Sequence, residues 1–99
     1  MKYVKPLLVL LMLLATPAFA DEQPTVSLDV KDADVRDILK SMQKQCGIKN
    51  LLIDKEVSGN GTIYFREVSC ETAFRTVFKQ FALKGQVEPN IVTVEPRPN

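Results

Sequence analysis

The chain has 99 residues, with 13 Lys plus Arg against 12 Asp plus Glu, 7% aromatics and no His. That length holds one small domain, and the near-neutral balance lacks the basic field that nucleic-acid phosphates require. Without His, the usual general acid–base side chain is missing, which argues against an enzyme from the start.

Residues 1–20 have the three parts of a cleavable export signal: Lys2 and Lys5, an unbroken apolar run at 7–14, and Ala18-Phe19-Ala20 before a cleavage that leaves Asp21 as the new N-terminus. The run falls short of the about 20 apolar residues of a spanning helix. It is closed by Thr16 and Pro17, so an uncleaved membrane anchor is disfavoured, and no Cys follows the cleavage site to carry a lipid. The expected location is therefore the periplasm. The remaining residues 21–99 form a single expected domain with 11 basic and 12 acidic residues. A domain of that size buries only about 60% of its unfolded surface, so a covalent staple would help it.

Both cysteines, Cys46 and Cys70, lie in this part. An oxidising compartment makes a bridge between them the expectation. It closes a loop of 24 residues, which in the chain-entropy model stabilises by roughly 3 kcal/mol. Two buried thiols are the competing reading. A catalytic pair is disfavoured, because there is no Cys-x-x-Cys spacing and no His to lower a thiol pKa.

Residues 25–30 alternate apolar and polar, which predicts a half-buried strand with Val26, Leu28 and Val30 inward. Asp32 and Asp34 then offer helix N-caps, and Val35, Ile38, Leu39, Met42 and Cys46 recur at helical spacing up to Gly47, a residue suited to a left-handed C-terminus. Residues 48–54 read as a second strand, and the consecutive Leu51, Leu52 and Ile53 suggest a buried rather than an edge position. A turn at 55–61 leads to a strand at 62–66 with Ile63 and Phe65 inward and Tyr64 and Arg66 outward. Ser69 caps a second helix carrying Ala73, Phe74, Val77, Phe78 and Phe81, which is expected to stop at Gly85. A hairpin pairs 86–88 with 91–94 around Pro89-Asn90, and Pro96 and Pro98 imply an unstructured tail. The tetrapeptides at 25–28 and 62–65, 37 residues apart and each ahead of a helix, hint at a duplicated unit.

These residues, in this order, resemble a known family. Val26-Ser27-Leu28-Asp29-Val30, Val35-Arg36-Asp37-Ile38-Leu39 and Gly47-Ile48-Lys49-Asn50-Leu51-Leu52-Ile53-Asp54 are similar to the short N-terminal domain shared by secretins and TonB-dependent receptors. Val57-Ser58-Gly59, Gly61-Thr62-Ile63-Tyr64-Phe65, Val68-Ser69-Cys70-Glu71-Thr72-Ala73-Phe74 and Asn90-Ile91-Val92-Thr93-Val94 follow in the family's order. The resemblance covers about residues 25–95 and contains no catalytic signature. The two cysteines depart from the family pattern. In the family the domain precedes a much larger protein, whereas this sequence ends at Asn99, so a stand-alone exported domain is expected.

The resemblance implies an α+β fold with two helices between two small β-sheets, in the order β-α-β-β-α-β-β. It also implies a role in protein recognition. The expected partners are envelope machine proteins: secretin, pilus or conjugation components, or an inner-membrane regulator. The expected role is an accessory subunit of such a machine; a small periplasmic inhibitor or chaperone-like factor is the alternative. The candidate partner-binding surface is the outward side of the strands that open each half: Ser27, Asp29, Thr62, Tyr64 and Arg66. Tyr64 leads, because tyrosine is enriched among residues that dominate interface energies. No cofactor, metal or nucleic acid is implied. Asp32, Asp34 and Asp37 lack the glycine and distal glutamate of a calcium loop, and capping accounts for them. Gly59-Asn60-Gly61 leads into a strand and has no lysine partner, so it reads as a turn rather than a phosphate loop. The Phe74, Phe78 and Phe81 stripe reads as core.

Overall fold

The computed structural model describes residues 23–98, so the expected export signal and its cleavage site at Asp21 lie outside the described residues. The elements are β1 (Thr25–Asp34), α1 (Val35–Cys46), β2 (Asn50–Ile53), β3 (Asn60–Ser69), α2 (Cys70–Gln80), β4 (Leu83–Glu88) and β5 (Ile91–Pro96). This is the expected α+β order, with the two helices between two small sheets. β1 and β3 pair antiparallel as a two-stranded ribbon, and β2, β5 and β4 form a second sheet in that order. Within it β2 runs parallel to β5 and β4 antiparallel to β5. A parallel pair needs a crossover, and the β3–α2–β4 segment supplies it.

Both helices start, and α1 stops, where the sequence leads one to expect. The Asp34 carboxylate accepts from Arg36 N–H at 2.8 Å, and the Ser69 hydroxyl accepts from Thr72 N–H at 3.3 Å, so each cap satisfies a first-turn donor. Gly47 closes α1 in the left-handed region at φ 68°, with its own N–H and that of Ile48 returning to the carbonyls of Lys44 and Gln43. Val35, Ile38, Leu39 and Met42 of α1 and Ala73, Phe74, Val77 and Phe78 of α2 form one core with Val26, Leu28, Ile63, Val92 and Val94 from the sheets. Arg36 reaches out of α1 to donate to the carbonyls of Asp54 and Val57, at 2.8 and 3.2 Å, and so holds the β2–β3 loop down over buried Val57.

Cys46, the last residue of α1, is bridged to Cys70, the first of α2, across a Cα–Cα distance of 6.1 Å. Both are half-buried. The bridge joins the end of one helix to the start of the other.

Several expectations are corrected. β2 is not a buried strand: it pairs with β5 alone and forms one edge of its sheet, with Leu52 56% exposed. Three apolar residues in a row gave no phase, and only the faces of Leu51 and Ile53 meet the core. Gly85 does not end α2. The helix stops at Gln80, Ala82 takes the left-handed turn at φ 55°, and Gly85 lies inside β4 with the Phe78 ring packed on it. β1 and β3 both run on to the residue that caps the following helix, past the ends read at 30 and 66. The tail is tied down, since Arg97 donates through its backbone to Ala82 and through its guanidinium to Leu83.

The duplication is present, but at an offset of 35 rather than 37 residues. Left-handed Asp32 matches Glu67, cap Asp34 matches Ser69, left-handed Gly47 matches Ala82, and buried Ile48 matches Leu83. A shift of two leaves every strand residue on the same face, so the tetrapeptide comparison kept the right phase in the wrong register.

The packing sets the cost of three replacements. Replacing both cysteines with alanine should cost about 3 kcal/mol and lower the unfolding midpoint by more than about 10 °C, read by calorimetry. A β-carbon at Gly85 would lie 2.5 Å from the Phe78 ring and 2.9 Å from the Thr93 carbonyl. Gly85→Ala should therefore cost about 1–3 kcal/mol in urea denaturation. Gly47→Ala, which meets no atom within 4 Å, should cost only about 1 kcal/mol, from the left-handed backbone alone.

Candidate interaction surface

The β1–β3 ribbon presents one face to the helices and the other to solvent. Val26, Leu28 and Ile63 are buried on the inner face, and Ser27, Asp29, Thr62, Tyr64 and Arg66 are all exposed. The register brings these five together. Asp29 lies directly across from Tyr64, which is 65% exposed, while Thr62 and Arg66 flank Tyr64 two residues either way along β3. An aromatic ring at the centre of a small patch, with one acidic and one basic neighbour, suits protein contact better than chemistry.

Two of the five also have an internal task that the sequence did not reveal. Lys31 and Asp32 of β1 together oppose Thr62, and Arg66 and Glu67 of β3 together oppose Ser27, so each strand carries a β-bulge. The second residue of each bulge is left-handed, Asp32 at φ 53° and Glu67 at φ 52°. The Thr62 hydroxyl accepts from Asp32 N–H and the Ser27 hydroxyl accepts from Glu67 N–H, both at 3.1 Å. Each bulge thus finds its donor's partner on the opposite strand. A sequence signal existed: hydroxyl residues at 27 and 62, each followed five residues later by an acid and seven later by a helix cap. The outer edge of β1 is partly closed at the same point, because Ser27 N–H donates to Gln45 Oε1 of α1 at 2.9 Å.

Elsewhere the surface offers shallow relief. An open groove of about 650 Å³ runs beside the disulfide, over Ile48, Phe78 and Val87, and its Glu71 and Arg75 pair with each other. Among the described residues, no group of three or more His, Cys, Asp or Glu is arranged to hold a metal ion, and no helix is long and apolar enough to cross a membrane. Asp34 caps α1, Asp32 forms a bulge and Asp37 sits in the first helical turn, so the three acids are spread over separate tasks.

The split between structural and surface roles is measurable. Ser27→Ala should leave the Glu67 N–H to water and lower stability by about 0.5–1 kcal/mol in urea titration. Tyr64→Ala, which removes only an exposed ring, should stay within about 0.5 kcal/mol of the parent.

No protein-family model matches the chain. Over 72 residues, 73% of its length, it is 32% identical to the type IV pilus biogenesis and competence protein PilQ of Neisseria gonorrhoeae. It is 31% identical over the same length to PilQ of Neisseria meningitidis. The chain spans about one tenth of the length of these curated relatives. Among solved structures, the N0 domain of the type II secretin from enterotoxigenic Escherichia coli superposes with a TM-score of 0.61 at 14% identity, covering 75% of this chain and 96% of that one. The type IV competence pilus secretin PilQ of V. cholerae gives 0.60 at 21% identity, covering 71% of this chain and 17% of that one. Fold and sequence together match this chain to the secretin N-terminal domain.

Proposed function

We propose that this protein is a periplasmic protein-recognition module, acting as an accessory part of an envelope-spanning secretion or pilus machine and catalysing no reaction. The observation that carries the reading is the 32% identity, over 72 residues, to a type IV pilus biogenesis protein. The build of the domain agrees with it. The core is filled by side chains from both helices and both sheets, and no polar or charged side chain is buried among the described residues. What the fold offers is surface: two small sheets, their strand edges and an outward tyrosine. Such sheets recognise proteins by side-chain contact on a face or by strand addition at an edge.

The partner is a component of the machine itself: a secretin, another pilus or conjugation component, or an inner-membrane regulator. It is read by the outer face of the β1–β3 ribbon, with Tyr64 at the centre and Asp29 and Arg66 setting charge preference beside it. Ser27 and Thr62 contribute mainly by holding the bulges that keep this face in shape.

Photocrosslinking from position 64 in intact cells tests the reading. Capture of a secretin, pilus or inner-membrane component supports it. Capture of none of these, together with substrate turnover by the purified protein, would overturn it. Tyr64→Ala should weaken binding of the captured component, measured with purified proteins, at least about tenfold without unfolding the domain, in line with the loss typical of an interface anchor.

A further inference from the structure

A second surface lies on the opposite sheet, independent of Tyr64. β2 is an open edge. Asn50 N–H donates to the Asn90 carbonyl and Asp54 N–H to the Val94 carbonyl, so these backbone groups face β5. Alternation along a strand therefore turns the N–H and C=O of Leu51 and Ile53 the other way, toward the unpaired side. Two donors and two acceptors stand there at strand spacing.

That edge lies along a groove of about 580 Å³ between β2 and α1. Arg36, Lys40 and Gln43 of α1 line it, with Lys49 just ahead of β2 and Leu52 beside the edge. At 100° per residue, positions 36, 40 and 43 fall within an arc of about 60° and form a single wall. Three of the lining residues are cationic and none is acidic. Lys40 and Lys49 are exposed and make no ion pair among the described residues. Arg36 spends its hydrogen bonds on the neutral carbonyls of Asp54 and Val57, so its charge is not cancelled there.

We propose that the open edge of β2 is a docking site for an extended, acidic segment of a partner protein, which adds to the second sheet as a fourth strand. Main-chain bonds to Leu51 and Ile53 supply the pairing, and carboxylates on the incoming strand meet Arg36, Lys40 and Lys49. The same charges select against the simplest competitor. A second copy of this chain, edge to edge, would bring like-charged lysines together. Nucleic acid also carries negative charge, but it has no backbone N–H and C=O alternation to match the edge.

The test uses the purified full chain and an eight-residue peptide of alternating Glu and Val, with a Lys and Val peptide as control. NMR hydrogen exchange should show the Leu51 and Ile53 amides slowed by the acidic peptide at low salt and not by the basic one. Lys40→Glu with Lys49→Glu should weaken binding by roughly tenfold or more, Lys40→Gln with Lys49→Gln by less, and both differences should shrink as salt rises. Unchanged amide spectra away from the groove would confirm that these surface variants fold. The proposal is overturned if the two amides gain no protection, if charge reversal leaves the affinity unchanged, or if a single-stranded DNA oligomer displaces the peptide and binds more tightly. Crosslinking from Tyr64 reports on the other sheet, so either surface can fail alone.

Discussion

The fold depends on the way the β1–β3 ribbon turns into helices at both its ends. Each strand must turn, while still paired up to its capping residue, and hand the chain to a helix that packs back over the ribbon's inner face. A bulge two residues before each cap does this, with Asp32 and Glu67 in left-handed backbone. A bulge re-aims a strand but orphans a donor. Here Thr62 and Ser27 satisfy those donors reciprocally, each from the strand that lacks the bulge at that point. The two turns are therefore held by one cross-strand arrangement used twice.

From that ribbon the rest follows in two related halves that differ where they need to. In the first half, a glycine makes the left-handed exit from the helix; in the second, Ala82 does. The glycine saved for the second half sits inside β4, where the ring of Phe78 occupies the place of a side chain. Phe81 uses the glycines at the start of β3 in the same manner, its ring lying against Gly59 and Gly61. A small domain thereby accommodates large rings by leaving out a side chain where each ring lies. The disulfide ties the end of α1 to the start of α2 and so joins the two halves covalently.

The proposed recognition is confined to the outside, because no polar or charged side chain is buried among the described residues. One sheet shows a mixed polar face centred on Tyr64, while the other shows an open strand edge beside a cationic helix wall. These surfaces are separated by the helical layer and differ in chemistry. Two such surfaces on one domain leave room for two neighbours at once, which is the arrangement the proposed role requires.

Much of this was legible in the residues. Alternation placed Ser27, Asp29, Thr62, Tyr64 and Arg66 on the outward sides of their strands, helical spacing picked out both core stripes, and Asp34, Ser69 and Gly47 marked helix ends. These are local rules, because a side chain's phase and a cap's hydrogen bond depend on residues a few positions away. Tertiary structure alone decided the rest: that β2 is an edge, that Gly85 serves Phe78, that Ser27 and Thr62 hold opposite strands' bulges, and that Lys49 joins Arg36 and Lys40 along one groove. Each of these depends on which strand or ring becomes a neighbour across 7 to 41 residues of chain. Periodicity reports which way a residue faces, and only packing reports what it faces.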